Sequence, residues 1–273
     1  MKLNEKILGD ILDTALEAAA CAADILLDNW QKRKLRENGN ISYRAKDDLS
    51  PVTELDLAAE KIIREIILKR FPDHQIVGEE FGKDAHSLSP YTWVIDPIDG
   101  TKGYIRGQEY FATQVAVMYE GEVVVGVSNA PALNETLAAY KNGGAFLNKK
   151  PIQVSKISNL SEAFICHGNI KYFHRLKKFP QLFKLLENAW AARGVGDFWG
   201  YHLLANGRVD AMLEAGAKIW DIAAISIIIK EAGGAVSDIH GHPISPKSTS
   251  MIATNGLIHD EILSTLNEKG WVR

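Results

Sequence analysis

Two aspartates three positions apart, Asp96 and Asp99, lie on either side of a proline in the stretch VIDPIDGTKG. A β-branched run precedes them, which predicts a buried strand. Proline cannot donate to a sheet, so we expect the chain to leave the sheet at Asp96. The two carboxylates are then in position to bind a cation. From this stretch alone, an acidic turn that Asp96 caps is an equally good interpretation.

The residues that follow add a second kind of chemistry. Gly100 allows a backbone angle that other residues disfavour. If a helix starts directly afterwards, the amides of Gly100 and Thr101 point outward and form an anion site. Carboxylates for cations beside amides for an anion are the combination that phosphoryl transfer requires.

Three further acidic segments are predicted to lie at the ends of elements. The sequence VGEEFG places Glu79 and Glu80 at the end of a predicted strand, WDIAAISIIIKEAGG begins an apolar helix with Asp221, and TELD places Asp56 in the first turn of another helix. Taken singly, Asp221 is interpretable as a helix N-cap and Asp56 as a favourable first-turn charge. Together with Asp96 and Asp99, these segments favour a metal site.

Other chemistries fit the sequence less well. An aspartyl-nucleophile phosphatase needs two aspartates separated by one residue, and here the spacing is one residue longer. The nucleotide-binding pattern G-x-x-x-x-G-K-[ST] and the zinc patterns C-x-x-C and H-E-x-x-H are absent from the sequence. The HGH segment at 240–242 is predicted to be a turn. Ligands that are all oxygen atoms favour Mg²⁺.

Helices and strands alternate in a way that can position these groups. A long amphipathic helix is predicted at 3–30, from apolar residues at steps of three and four, and a second helix begins after an N-cap at Thr53. The predicted strands of the first half are 75–78, 92–95, 111–119, 122–128 and 136–140. Because consecutive strands join through short turns, we expect a mainly antiparallel sheet packed on helices.

The second half is predicted to be a layered mixture of helix and sheet. Its strands are predicted at 163–167, 193–195, 209–214, 235–239 and 251–254, and its helices at 175–192, 199–206 and 221–232. The polar segment at 148–151 is predicted to separate two domains. The first (1–150) carries most of the metal ligands, and the second (151–273) carries Asp221 and the residues that decide substrate specificity.

Composition excludes several classes of partner. The 273 residues carry a net charge of −3, which gives no electrostatic reason to expect nucleic acid or an anionic membrane surface. No apolar run approaches the roughly 18 residues of a membrane span, and no secretory signal is recognisable. Two cysteines, Cys21 and Cys166, are predicted to be reduced thiols. A cytoplasmic location is expected.

At these residues the chain resembles the inositol monophosphatase superfamily of metal-dependent, lithium-sensitive sugar and polyol phosphatases. The resemblance extends over nearly the whole chain and rests on GEE at 78–80, WVIDPIDGT at 93–101 and WDIAA with EAGG at 220–234, in the family's order. It implies a layered αβαβα sandwich of the inositol monophosphatase and fructose-1,6-bisphosphatase type, combining α+β and α/β character. It also implies a homodimer.

The resemblance implies a role for each matching residue. One Mg²⁺ would be held by Glu79, Asp96 and the carbonyl of Ile98. A second Mg²⁺ would be held by Asp96, Asp99 and Asp221. A weaker third site would consist of Glu79 and waters. Thr101 and Asp56 match the pair that orients the nucleophilic water, with Glu79 close by. The amides of Gly100 and Thr101 would receive the phosphate. Glu214 matches the position that contacts the leaving group.

Within the superfamily, the chain is most similar to the histidinol-phosphate phosphatase branch. The similarity lies in DPIDGTKGYIRG, YFATQVAVM and GDFWGYHLLANGRVDAMLE. Asp197 and Phe198 follow Gly196 where inositol enzymes have small neutral residues, which implies a cationic or aromatic leaving group. An alternative interpretation is that Asp197 is the N-cap of the following helix.

The expected reaction is direct in-line hydrolysis of a small phosphate monoester without a phosphoenzyme, with L-histidinol phosphate as the favoured substrate. Inositol 1-phosphate is the next candidate, followed by 3′-phosphoadenosine 5′-phosphate and fructose 1,6-bisphosphate. A regulatory binding protein of the same fold, without catalytic activity, is the alternative from another functional class.

Overall fold

The computed structural model describes residues 3–34, 42–46, 51–83 and 89–268. Within these residues the chain forms eight α-helices and fifteen β-strands. The helices are α1 (Glu5–Lys34), α2 (Glu54–Arg70), α3 (Thr101–Ile105), α4 (Ile170–Arg175), α5 (Phe179–Asn188), α6 (Asp197–Ala205), α7 (Ile219–Glu231) and α8 (His259–Leu266).

The strands fall into three sheets. Their bounds are β1 (Arg44–Ala45), β2 (Pro51–Val52), β3 (Gln75–Gly78), β4 (Gly82–Lys83), β5 (Tyr91–Asp99), β6 (Ala112–Tyr119), β7 (Glu122–Ala130), β8 (Glu135–Tyr140), β9 (Gly144–Leu147), β10 (Lys150–Pro151), β11 (Phe164–His167), β12 (Ala191–Arg193), β13 (Ala211–Ala215), β14 (Ala235–Ser237) and β15 (Ser250–Thr254). Strands β1 and β2 form a small antiparallel pair of their own.

The first two helices follow the predicted pattern. The apolar stripe of α1 is buried, including Leu8, Ile11 and Leu26, and the helix continues to Lys34 rather than ending near residue 30. Thr53 is the N-cap of α2, and its side chain accepts hydrogen bonds from the amides of Leu55 and Asp56. The N-cap prediction is confirmed.

The large sheet has the strand order β10-β9-β8-β7-β6-β5-β3-β4. Only β3 and β5 are parallel neighbours among these described strands, which confirms the mainly antiparallel sheet. The predicted strand end at Asp96 is wrong, because β5 continues to Asp99 with an irregular register between the two aspartates. This bulge removes the need for a ladder donor at Pro97, whose carbonyl accepts a hydrogen bond from the Thr113 hydroxyl at 3.0 Å.

The small sheet has the order β12-β11-β13-β15-β14, with β11 parallel to both of its neighbours and the other pairs antiparallel. The single helix predicted at 175–192 is wrong. The chain forms α4 and α5 instead, with Lys177 at φ 57° between them and Pro180 in the first turn of α5. Pro180 disfavours a continuous helix because it has no N–H to donate. Helix α8 and strand β9 were not predicted.

The elements stack in five layers. Trp93 and Ile95 of β5 face the core shared with α1 and α2, whereas Val94 faces α7. Helix α7 is apolar on nearly all sides because it lies between the two sheets and contacts strands of both. Helices α5 and α8 cover the far face of the small sheet. This arrangement confirms the layered αβαβα sandwich.

The proposed division at 148–151 remains a prediction. The large sheet ends at Pro151 and the small sheet begins at Phe164, but residues from both halves share one core around α7. In the described part of the chain, Cys21 and Cys166 are free thiols, and no helix combines the length and apolar character that a membrane crossing requires.

Candidate active site

A cavity of about 470 Å³ opens where the ends of several elements meet. Its lining includes every predicted site residue except one: Glu79, Asp96, Ile98, Asp99, Gly100, Thr101, Asp197, Glu214 and Asp221. The exception is Asp56, which is fully buried behind Thr101. Residues more than a hundred positions apart in sequence therefore share one cavity.

Glu79 and Asp96 become neighbours through the parallel pairing of β3 and β5. Gly78 is opposite Ile95 in the register, and the Glu79 amide donates to the Ile95 carbonyl at 3.1 Å. Since the carboxyl ends of parallel strands meet at one edge, both side chains enter the cavity together. Asp96 also accepts a hydrogen bond from the Ile98 amide at 3.0 Å, so the predicted capping role coexists with its place in the cavity.

Helix α3 begins immediately after Gly100, as the anion site requires. Gly100 has φ 91°, and a Cβ there would lie 2.6 Å from the Tyr110 carbonyl oxygen. Both the angle and the close approach demand glycine. The Thr101 hydroxyl donates to the Ile98 carbonyl at 2.8 Å and lies 3.5 Å from Asp56 Oδ1. The predicted Thr101–Asp56 pair is therefore adjacent, although the shorter contact of the hydroxyl is with Ile98.

Asp56 is held within the first turn of α2. Its carboxylate accepts a hydrogen bond from the Thr53 amide at 2.7 Å, which completes a capping box. Burial raises the pKa of Asp56 to about 6, despite the opposing effect of its hydrogen bonds to Thr53. The carboxyl group is thus mostly ionised at neutral pH and changes protonation state just below it.

Asp221 and Asp99 are each oriented by one protein donor. Lys218, and not Asp221, is the N-cap of α7, so that alternative interpretation of Asp221 is wrong. Asp221 is the third residue of the helix, and its carboxylate accepts a hydrogen bond from the Lys218 amide at 2.7 Å. Gln114 Nε2 donates to Asp99 Oδ2 at 2.9 Å across the neighbouring strand.

Burial and, to a smaller extent, mutual repulsion act on these acidic side chains. Asp96 is 2% exposed and Asp99 is 6% exposed. Burial, followed by the charges of Glu79, Asp99 and Asp221, raises the pKa of Asp96 well above its ordinary value. Burial likewise raises the pKa of Asp99, with contributions from Asp197 and Asp221, and raises that of Asp221 to about 7. Each carboxylate is therefore disfavoured in its charged form unless a cation compensates.

The far wall of the cavity carries Asp197 and Glu214. Asp197 is the first residue of α6, with φ 53°, and Gly196 is the N-cap, so the alternative N-cap interpretation of Asp197 is wrong. A non-glycine residue at this angle is strained, which is common at functional sites. Its side chain is accessible to solvent within the cavity. Glu214, at the end of β13, is more enclosed, and burial raises its pKa to about 8.

Several residues of the site were not predicted. Lys46 Nζ contacts Glu79 Oε1 at 2.7 Å and Glu80 Oε1 at 2.6 Å. The Glu60 carboxylate accepts a hydrogen bond from the Glu80 amide at 2.8 Å and forms an ion pair with Arg64. The pair Glu79-Glu80 signalled that a cation was required, but nothing near it in sequence identified Lys46. Tyr201, His167, Asn169 and Tyr172 also line the cavity.

The chemical type of the candidate ligand atoms fits Mg²⁺. Glu79, Asp96, Asp99, Asp221 and the Ile98 carbonyl offer only oxygen atoms, and two of the carboxylates are almost completely buried. Within the described residues, however, no three acidic, histidine or cysteine side chains form a ready-made metal cluster. The carboxylates are directed instead at protein partners, including Lys46, Gln114 and the Lys218 amide.

Comparisons with known proteins identify the family. The sequence profile described as "Inositol monophosphatase family" matches residues 8–270. A protein of Streptomyces coelicolor named histidinol-phosphatase is 37% identical over 239 residues, covering 84% of this chain and 89% of the relative. A Thermotoga maritima protein named fructose-1,6-bisphosphatase/inositol-1-monophosphatase is 39% identical over 223 residues, covering 80% and 82%.

Comparison with solved structures indicates the same family. The inositol monophosphatase of Anabaena superposes with a TM-score of 0.82 at 31% identity, covering 95% of this chain and 96% of the other. The layered fold, the order of the acidic segments and the full-length match together show that this chain belongs to the inositol monophosphatase family of phosphatases.

Proposed function

We propose that this protein is a Mg²⁺-dependent phosphate monoester hydrolase that acts by direct in-line attack of water, without a phosphoenzyme. The observation that carries the proposal is the position of the buried carboxylates Asp96 and Asp99 beside the start of α3. Cations held by the carboxylates and a phosphate held by the amides would then be neighbours.

Each site residue would have a definite task in this reaction. The amides of Gly100 and Thr101 would bind the phosphate. Asp56 would accept a hydrogen bond from the Thr101 hydroxyl, whose oxygen would then accept a hydrogen bond from the attacking water and orient it. Glu79 accepts from the same water. Glu79, Asp96, Ile98, Asp99 and Asp221 would hold two Mg²⁺, or three. When bound, Mg²⁺ lowers the pKa of water and neutralises charge on the leaving oxygen.

We favour L-histidinol phosphate as the substrate. Asp197 and Glu214 place two carboxylates on the cavity wall beyond the metal ligands, where the ammonium and imidazole groups of L-histidinol would contact them. Charge-assisted hydrogen bonds of this kind contribute roughly 1.5–3 kcal/mol each, less where solvent reaches them as at Asp197. The name of the Streptomyces relative supports the same substrate.

Inositol 1-phosphate is the second candidate. The names of the Thermotoga relative and of the Anabaena structure support it. Asp197 is the feature that disfavours it, because a neutral polyol can donate hydrogen bonds to this carboxylate but cannot compensate its charge.

A phosphate-release panel tests both proposals. With Mg²⁺, kcat/KM is measured for histidinol phosphate, inositol 1-phosphate, 3′-phosphoadenosine 5′-phosphate and fructose 1,6-bisphosphate. We expect histidinol phosphate to be preferred, and Asp197→Asn to lower its kcat/KM about tenfold while changing that of inositol 1-phosphate much less. A preference for another ester refutes the substrate but keeps the reaction class. Metal binding without release from any ester would favour the non-catalytic alternative.

We also propose a homodimer that is inhibited by Li⁺. Light scattering on the purified protein measures its mass in solution, and Li⁺ titration in the same phosphate-release assay measures inhibition. A monomer, or full activity at millimolar Li⁺, contradicts the respective statement.

A further inference from the structure

Tyr201 has a buried hydroxyl with no partner in the described part of the protein. Its side chain is 2% exposed, and its ring packs in the core around α7, yet the residue lines the cavity. A buried hydroxyl that makes no hydrogen bond destabilises the folded state. Phenylalanine would fill the same space without this penalty, so the hydroxyl has no structural reason to be present.

The helix that carries this hydroxyl is held in place by the next residue, His202. His202 Nε2 lies 2.7 Å from Ser128 Oγ, and His202 Nδ1 lies 3.2 Å from Glu135 Oε2. These two contacts tie α6 to β7 and β8. Tyr201 is also one turn after Asp197, so both residues lie on the face of α6 that borders the cavity.

A second polar atom of the same cavity wall is also without a partner. Glu214 Oε2 is buried and has no hydrogen bond within the described residues, although the amides of Asn169 and Ala215 donate to the carboxylate. Gly168 makes room for it, because a Cβ there would lie 2.0 Å from Glu214 Oε1. The wall of the cavity therefore contains one unpaired phenol hydroxyl and one unpaired carboxyl oxygen, both buried.

We propose that Tyr201 is a specificity-determining residue whose hydroxyl donates a hydrogen bond to the leaving group of the substrate, beside Glu214. This inference rests on the proposed phosphatase function. It names the class of leaving group: an alcohol whose body carries both a hydrogen-bond acceptor and an N–H or O–H donor, as neutral imidazole does. The acceptor pairs with Tyr201 and the donor with Glu214.

The kinetic test uses Tyr201→Phe with Mg²⁺ and two esters. We expect kcat/KM for histidinol phosphate to fall about tenfold, mainly through KM, because one hydrogen bond is lost. Phenyl phosphate, whose leaving group has neither nitrogen nor a further hydroxyl, should change less than twofold. Equal losses on both esters, or no loss on either, would overturn the proposal.

A stability measurement separates this role from a structural one. Tyr104 is the matched control, since its buried hydroxyl donates to the Leu26 carbonyl at 3.0 Å. Tyr104→Phe should lower Tm, because the carbonyl loses its donor, whereas Tyr201→Phe should leave Tm unchanged or raise it. A comparable fall in Tm for both variants would make the Tyr201 hydroxyl structural.

Calorimetric binding of L-histidinol distinguishes this inference from the proposed function. We expect about tenfold weaker binding to Tyr201→Phe than to the unaltered protein. If no ester is hydrolysed but this difference persists, the proposed function fails and the role of Tyr201 stands. If histidinol phosphate is hydrolysed equally well by both proteins, the function stands and the role of Tyr201 fails.

Discussion

Asp99 is buried, close to other acids, and hydrogen-bonded on one oxygen by Gln114. A carboxylate in this environment is costly unless a cation shares the cavity. The same holds for Asp96, whose neighbours include Glu79 and Asp221. The cost is understandable if these residues are retained for binding metal.

Replacing Asp99 with asparagine tests this account. Asparagine keeps the shape of the side chain and the hydrogen bond from Gln114, so we expect an intact fold. Turnover should fall at least about a hundredfold, because a ligand charge is lost. Phosphate release and circular dichroism measure the two effects. Asp260→Asn, at the exposed start of α8, is the control, and retained activity in Asp99→Asn would remove the metal assignment.

For single residues, the acidic side chains of the site were predictable from the sequence, but their hydrogen-bond and ion-pair partners were not. Glu79, Asp96 and Asp221 were recognisable because each lies at the end of a strongly patterned strand or helix. Lys46 and Tyr201 were not, since Lys46 lies outside every motif and Tyr201 carries no signal of its own within GDFWGYHLLANGRVDAMLE. The role of each comes only from its surroundings in the fold. Such contacts depend on how the sheets and helices are stacked.

Among the elements, α3 depends most on a single glycine. It is five residues long, and it begins where Gly100 turns the chain at a positive φ close to the Tyr110 carbonyl. The sequence signalled this turn but also placed the end of β5 at Asp96. The bulge that carries β5 on to Asp99 was not predictable, because it depends on pairing with β6.

We expect Gly100→Ala to be more damaging than a matched glycine replacement. The Cβ of alanine would clash with the Tyr110 carbonyl oxygen. In addition, the left-handed backbone angle would destabilise the folded state by about 1–2 kcal/mol. Gly121, in the β6–β7 turn, has φ 86° and open space around it. Gly121→Ala should therefore lose stability only through the left-handed backbone angle, without a clash. Denaturation in urea and kcat with histidinol phosphate are measured for both.

The result expected for the pair is a larger loss of stability in Gly100→Ala, together with a fall in kcat, whereas Gly121→Ala should keep wild-type kcat. Similar kcat values in both variants would contradict the role of α3 in holding the phosphate.

For the whole molecule, the cavity makes stability depend on pH. The pKa of Glu214 is raised to about 8 and that of Asp221 to about 7, both chiefly by burial. Between the pKa of the unfolded chain, roughly 4, and these values, the folded protein binds more protons than the unfolded one. These two groups make stability fall as pH rises through this window. Below about pH 6.5, the histidines His74, His202 and His259 act in the opposite direction, because burial lowers their pKa.

We therefore expect the free energy of unfolding in EDTA to decrease between roughly pH 6.5 and pH 8, above the window in which the histidines oppose it. One such group changes it by about 1.4 kcal/mol per pH unit within its window. Urea denaturation at four pH values measures the slope. Glu214→Gln should reduce the slope, and saturating Mg²⁺ should reduce it further by favouring the ionised ligands. A stability that rises with pH in EDTA would contradict the assignment.

The layered architecture was the most predictable feature of the whole molecule. The alternating strands of the first half and the apolar helix after Asp221 indicated the layers, and the family resemblance indicated their order. The break between α4 and α5 was missed because a local irregularity at 176–178 outweighs an otherwise continuous apolar pattern.

The contact of Lys46 with Glu79 and Glu80 has a consequence for how metal activates the protein. If Glu79 binds Mg²⁺ as proposed, the ion must displace an ammonium group that already neutralises this carboxylate. Activation is then an exchange of one cation for another. The apparent affinity for Mg²⁺ is lower than the carboxylates alone would give, by the free energy of breaking this ion pair. A protein built this way keeps part of the Glu79 charge compensated when Mg²⁺ is scarce, because Lys46 is shared with Glu80.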